Sequence, residues 1–194
     1  MDYHEILVIL AAELRPARFR HSRDVSRTAV RLAEKWGADI EKARMAGILH
    51  DCARSLRGEA LLSAVKEAGL EPSEIECCQP ALLHALLGAV WARTRFGVED
   101  PAILQAIRRH TTGAPQMTLL DKVIYLADFI EPGRNFPGVE KMRELVAKGP
   151  DVTLLKAYNH TIAYILAGDG LLHPDTVAGR NSLLLEMKAK QNGK

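Results

Sequence analysis

The sequence predicts an all-α fold, built as a single helical bundle. Three observations carry this: apolar residues recur at helical spacing, Pro and Gly fall where helices begin and end, and alternating strand-type runs are nearly absent. At 194 residues the chain is long enough for one domain with a real core and short for two. No repeat, low-complexity tract or linker divides it, so residues 1–194 are expected to form one domain.

Taken in order, MDYHEILVILAAELR reads as an amphipathic helix. Its apolar stretch, broken by Glu5 and Glu13, is too short to span a bilayer and lacks a basic leader. Pro16 suits a first helical turn, and Ala17 to Trp36 runs to a stop at Gly37. Asp39 caps a helix leading into Ala43-Arg-Met-Ala-Gly-Ile-Leu-His50, and Gly58 to Ala68 is halted by Gly69 and Pro72. Pro80 to Phe96 follows, closed by Gly97, with Cys77-Cys78 at a helix start. Asp100-Pro101 supplies a cap and a first-turn proline for a helix to Arg109. Thr118 to Ile130 comes next and ends at the breaker Glu131-Pro132-Gly133. A short helix covers Val139 to Ala147, Asp151 caps Val152 to Ala167, and Pro174 opens a last helix towards Lys190. About ten helices joined by short loops are expected.

Composition removes several classes of function. A formal net charge of +2 gives no electrostatic argument for nucleic acid, and an aromatic content of 5% counts against base-stacking platforms. Cys52, Cys77 and Cys78 form neither an even disulfide framework nor a zinc-type spacing, and reduced thiols are expected.

The chemistry shows where polar residues occupy positions that the helical pattern reserves for apolar ones. His50 and Asp51 end the apolar run Met45-Ala-Gly-Ile-Leu, and Asp128 lies inside Lys122-Val-Ile-Tyr-Leu-Ala-Asp128-Phe-Ile, a segment apolar nearly all round. Burying an uncompensated carboxylate costs several kcal/mol, so Asp128 is expected to face a cationic side chain or a metal. Neighbouring helical residues diverge by about 100°. His50 and Asp51 therefore meet one ion where it lies between them or where the helix ends, and Cys52-Ala-Arg54-Ser55 is consistent with an ending. His21, His84 and His110 complete the candidates. Each taken singly has an ordinary explanation: a surface or partly buried residue, a core histidine bonded to a carbonyl, and a helix-dipole partner. Taken with His50, Asp51 and Asp128, they make a nitrogen and carboxylate set suited to iron, manganese or zinc.

The order His21, His50-Asp51, His84, His110, Asp128 resembles the HD superfamily of metal phosphohydrolases. The flanking stretches are similar to its YqeK family of symmetrical diadenosine tetraphosphate hydrolases. They are Arg18-Phe-Arg-His21-Ser, Gly47-Ile-Leu-His50-Asp51, Ala106-Ile-Arg-Arg-His110-Thr111-Thr112-Gly113, the run from Leu120 to Arg134, His173-Pro174-Asp175-Thr176 and Gly179-Arg180-Asn181. The resemblance covers about residues 5 to 185. Two departures are Arg54, where a lysine is usual, and Ala85-Leu86 after His84, where Gly-Pro is frequent.

The resemblance implies an HD-domain helical bundle that cuts the central phosphoanhydride of diadenosine tetraphosphate to give two ADP. It implies that His21, His50, Asp51 and Asp128 hold a divalent metal, iron first, with manganese or zinc as alternatives. Asp51 would also orient the attacking water. Two roles stay open for the catalytic candidates His84 and His110: a second metal site, or contact with phosphate and protonation of the leaving group. Thr111 adds a hydroxyl beside them. Arg134, followed by Arg54 and Arg180, are candidate phosphate contacts, since guanidinium grips phosphate bidentately. The loop from Gly168 to Asp175 is a candidate cover for a nucleoside. A cytoplasmic homodimer acting on a nucleotide, with no nucleic-acid or membrane partner, is the resulting expectation. Two rivals stand beside it: a hydrolase of another nucleotide, with identical metal residues, and a metal-stabilised binding module without activity.

Overall fold

Side-chain caps set the helix starts that the sequence marks. In this computed structural model, which describes residues 1–192, Asp2, Asp39, Asp100 and Thr118 each accept a hydrogen bond from a backbone N–H in the first turn they precede. Asp2 and Thr118 do so as reciprocal capping boxes with Glu5 and Asp121.

Eleven α-helices and no strand occur among the described residues. They are α1 Tyr3–Glu13, α2 Pro16–Trp36, α3 Ile40–Leu49, α4 Gly58–Glu67, α5 Glu74–Cys78, α6 Leu83–Thr94, α7 Pro101–Arg109, α8 Leu119–Ile130, α9 Val139–Leu145, α10 Pro150–Ala167 and α11 Pro174–Asn192. The all-α expectation holds, with three local corrections. Cys77 and Cys78 close α5, a helix started by the Ser73–Glu76 capping box, and do not open the next one. Pro80 begins a 3-10 turn, Pro80–Leu82, so α6 starts at Leu83 and ends at Thr94, before Phe96. Asp151 lies within the first turn of α10, whose cap is Gly149, because Pro150 takes the first helical position.

The core is assembled around α2, α3, α7 and α8. α2 packs on α3 and α8, α3 on α7, α6 on α7, and α10 joins α8 to α11. Val25, Ala29, Ile48, Leu49, Ala106, Ile107, Val123, Ile124 and Leu126 are fully buried between them. Close approach is fixed by small residues. A Cβ on Gly47 of α3 would lie 2.7 Å from the Ser26 Cα of α2, so these helices meet backbone to backbone and hold His50 against His21. Gly113 (φ 69°) and Gly179 both face the Tyr158 hydroxyl, where a Cβ would come within 1.8 and 2.5 Å. The glycines of the His110–Gly113 and Gly179–Asn181 stretches thus serve packing: they let α11 and the turn after α7 close over Tyr158.

α8 is buried nearly all round, as its apolar pattern predicts, yet it also carries Asp121 and Lys122 inside. Asp121 accepts from Gln105, from Arg109 and from the Thr118 N–H. Lys122 reaches Asp151 at 2.6 Å, and Lys190 bonds the other oxygen at 2.9 Å. Burial pushes the Asp151 carboxyl up, but these two ammonium groups outweigh it and hold its pKa below the usual carboxylate value.

Two outcomes follow from this packing. Gly47→Ala should destabilise the protein by about 1–3 kcal/mol despite alanine's better helix propensity, because the obstructing atom is backbone. A urea midpoint at or above that of wild type would contradict the close approach of α2 and α3. Asp151→Asn strands the buried Lys122 and should cost about 1–3 kcal/mol at neutral pH. A carboxyl whose folded pKa is depressed contributes stability above its unfolded pKa and loses it as pH falls through the folded value. The gap between wild type and Asp151→Asn should therefore shrink below about pH 4. Urea melts from pH 2 to 7 check this, and a gap independent of pH would refute the ion-pair account.

Candidate metal centre

The site begins with the proton on each imidazole. His50 follows the last residue of α3, His110 follows the last residue of α7, and His84 is in the first turn of α6. Each places Nδ1 on the carbonyl three residues earlier: Gly47 at 2.8 Å, Ile107 at 2.7 Å and Ala81 at 2.5 Å. A carbonyl accepts and never donates, so Nδ1 carries a proton, and in the neutral ring Nε2 is the nitrogen with the lone pair. His21, in the first half of α2, directs Nδ1 at the buried Glu131 carboxylate, 3.1 Å away, with the same consequence.

The four Nε2 atoms converge. His21 and His50 Nε2 are 3.3 Å apart, and His84 and His110 Nε2 are 3.0 Å apart. Asp51 stands between the pairs. Its Oδ2 lies 3.4 Å from His50 Nε2 and 3.7 Å from His21 Nε2; its Oδ1 lies 3.2 Å from His84 Nε2 and 3.9 Å from His110 Nε2. Asp128 Oδ1 is 3.0 Å from His21 Nε2 and 3.9 Å from His50 Nε2. Three overlapping groups, His21–His50–Asp51, His50–His110–Asp128 and Asp51–His84–His110, each keep their donor atoms within 4.8 Å of one another.

Burial raises the pKa of both aspartates, but the neighbours reverse this. His50 and His84 hold Asp51 well below the usual carboxylate range, and His21, His50 and Arg134 do the same for Asp128. Burial, together with His50 and His84, pushes His110 down to about 3. Burial also pushes His50 down, but Asp51 and Asp128 overcome it and raise its pKa. Ionised carboxylates and lone pairs that face one another at hydrogen-bond distance call for a cation between them. This donor set fits a divalent metal.

Three guanidinium groups, each about one-third exposed, adjoin the carboxylates. Arg18 bonds Asp51 Oδ2 at 2.8 Å, Arg54 bonds Asp51 Oδ1 at 3.2 Å, and Arg134 bonds the Asp128 side chain and backbone carbonyl. Arg18, Arg134, His21 and Arg20 line a cavity of about 320 Å³. The Thr111 hydroxyl is 3.1 Å from His110 Nε2 and 3.3 Å from His84 Nε2.

Of the residues selected from sequence, His21, His50, Asp51, His84, His110, Asp128, Thr111, Arg54 and Arg134 are brought together. Arg180 is not: its guanidinium bonds Asn159 and Asn181 and makes no contact with the cluster among the described residues. The Gly168–Asp175 loop contributes His173 to a cavity of about 900 Å³ that reaches the cluster through Thr111. Glu131 and Arg18 went unassigned in the sequence. Glu131 reads there as part of a helix breaker, and Arg18 as a flank of His21. Neither position carries a signal before the fold brings α2 against the end of α8.

The HD domain family matches residues 18–133. A symmetrical bis(5'-nucleosyl)-tetraphosphatase from Halalkalibacterium halodurans is 40% identical over 188 residues, covering 97% of this chain and all of the relative. One from Bacillus subtilis is 38% identical over 184 residues, covering 95% of this chain and 98% of the relative. The crystal structure of a predicted HD superfamily hydrolase involved in NAD metabolism, from Clostridium acetobutylicum, superposes with a TM-score of 0.92. It is 40% identical and covers 96% of this chain and 98% of its own.

Outer partners of metal-binding histidines hold the ring and its tautomer, and their loss typically lowers affinity about 10–100-fold. Glu131→Ala should weaken Mn²⁺ binding by that factor, measured by competition with a chelator, while the far-ultraviolet circular dichroism stays that of wild type. Unchanged affinity would remove Glu131 from the centre.

Proposed function

This chain belongs to the HD domain family, and on that premise we propose that it is a symmetrical bis(5'-nucleosyl)-tetraphosphatase, cutting diadenosine tetraphosphate at its central phosphoanhydride to two ADP. The observation that carries the reading is the Asp51 carboxylate, set between two histidine pairs and bonded by Arg18 and Arg54. It supplies cation ligands and phosphate-binding groups at one point. The whole chain, residues 1–194, is proposed to be one domain of this kind, supported by a core that runs from Ile6 and Leu10 of α1 to Leu183 of α11.

His21, His50, Asp51 and Asp128 would hold one divalent cation. We assign His84, His110 and the second oxygen of Asp51 to another, in preference to a direct phosphate contact. With Nδ1–H bonded to a carbonyl, the neutral ring presents its Nε2 lone pair to the centre, as a cation ligand does. A donor set of imidazole nitrogens and carboxylate oxygens suits iron, with manganese or zinc as substitutes. When bound, such a cation withdraws charge from phosphorus and brings the pKa of water near neutrality.

The chain's own residues supply the rest. Asp51 orients the attacking water from the middle of the cluster. Arg18, Arg54 and Arg134 counter the charge of the tetraphosphate, and Thr111 offers a hydroxyl donor beside His110. Arg180, held by Asn159, is given no phosphate contact. The cytoplasmic location and homodimeric state expected from the sequence remain part of this proposal. No helix among the described residues is long and apolar enough to cross a membrane.

Chromatographic product analysis tests the reading. Wild type supplied with iron or manganese should release ADP alone from diadenosine tetraphosphate. Asp51→Ala should lose several kcal/mol of transition-state stabilisation, on the order of 10³-fold in rate. AMP with ATP would show that a different bond is cut. No turnover by metal-loaded protein would shift the substrate to another nucleotide.

A further inference from the structure

Beside Asp128 the surface opens into a cavity of about 380 Å³ lined by Asp128, Phe129, Arg134, Phe136, His160 and Tyr164. Phenylalanine and tyrosine are scarce in this chain, four of each, yet two phenylalanines and a tyrosine meet here. Phe129 is backed by Tyr125, one turn earlier on α8, with centroids 6.4 Å apart and planes within 14°. Phe136, from the loop after α8, meets Phe129 at 5.1 Å and 69°. His160 of α10 lies 4.8 Å from Phe136 and 5.6 Å from Phe129. Tyr164, one turn further along α10, is 77% exposed. The rings are thus held by their neighbours while the wall itself stays accessible.

We propose that this cavity is the nucleoside subsite of the hydrolase, where a purine base stacks on Phe136, His160 and Tyr164 while its phosphates pass Arg134 towards Asp128. The proposal rests on the function given above and adds to it the residues that recognise the base. Cavity and centre share Asp128 and Arg134, so an occupant lies directly beside the cation ligands. The wall offers π-faces to a flat heteroaromatic ring, and the Thr161 hydroxyl adds one polar group to it. Among the cavities that adjoin the centre, phenylalanine and tyrosine rings line only this one. The larger cavity beside Thr111 is bordered by Glu71, Glu74, Glu76 and Asp175 and by Arg108 and Arg109, and His173 is the one aromatic ring in its wall. The two chemically identical halves of the substrate are therefore held differently: one base is stacked on the phenylalanine and tyrosine wall, and the other half lies beside Arg108, Arg109 and His173.

Calorimetric titration of manganese-loaded protein with ADP, and separately with inorganic pyrophosphate, tests this. Wild type should bind one ADP in a ring-dependent manner. Phe136→Ala and the surface variant Tyr164→Ala should each weaken ADP binding about 5- to 150-fold, the range of base–aromatic stacking, with pyrophosphate binding unchanged. Phe136→Trp should restore ADP binding. Unchanged ADP affinity in both alanine variants would overturn the subsite. So would an equal loss for pyrophosphate, since that would place the defect at Arg134. The parent reading fails separately: ring-dependent ADP binding by a protein that releases no ADP from diadenosine tetraphosphate would keep the subsite and remove the substrate.

Discussion

The Nε2 atoms of neutral imidazoles facing each other at 3.0 and 3.3 Å repel unless a cation lies between them, and much of this molecule serves to impose that arrangement. The decisive bonds are on the far side of each ring. A carbonyl at Nδ1 of His50, His84 and His110, and a carboxylate at Nδ1 of His21, commit the ring proton and leave Nε2 as a donor to metal. Without those four bonds the same six side chains would be an ordinary polar cluster, free to settle by exchanging protons.

Helix ends make the bonds available. The last carbonyls of a helix have no intrahelical partner, and a histidine just past the final turn can take one. His50 does this for α3 and His110 for α7. One bond meets the backbone requirement of the helix and sets the tautomer of the ligand. The same termination frees Asp51 from the helical divergence of neighbouring residues. At φ −109° and ψ 17° it leaves the helix and swings its carboxylate back into the centre, with one oxygen towards each histidine pair.

Most of the fold was legible because its signals are local. Caps, first-turn prolines and terminal glycines lie within a few residues of the helices they bound, so α2, α3, α7 and α8 could be placed nearly to the residue. The centre was legible for a second reason: a carboxylate in an apolar helix is costly, and Asp128 stands out as one. That signal does not identify the partner. Asp121 and Lys122 break the pattern of the same helix, yet they pair with Arg109 and Asp151 as structural ion pairs. Glu131 and Arg18 act through tertiary contacts 110 and 33 residues away, which no local pattern reports. Composition was blind in another way. The low aromatic content of the chain as a whole hid the local gathering of Phe129, Phe136 and Tyr164 beside Asp128.

The site differs from one built on surface loops in that its ligands end or belong to the helices that form the core. Precision then comes from packing: Gly47 sets the distance between α2 and α3, and with it that between His21 and His50. The cost is that two ionised carboxylates and four imidazoles are sunk into or beside the hydrophobic interior, where unpaired charge is strongly unfavourable. Arg18, Arg54 and Arg134 offset part of it by bonding Asp51 and Asp128, but each guanidinium remains partly exposed, and none lies between the facing nitrogens. A bound cation removes that remaining repulsion in the folded state and has no comparable site in the unfolded chain. Metal affinity and folding stability are therefore one linked quantity in this protein. The helices that pack most tightly are also those that carry the chemistry, because the cation completes the interior that they enclose.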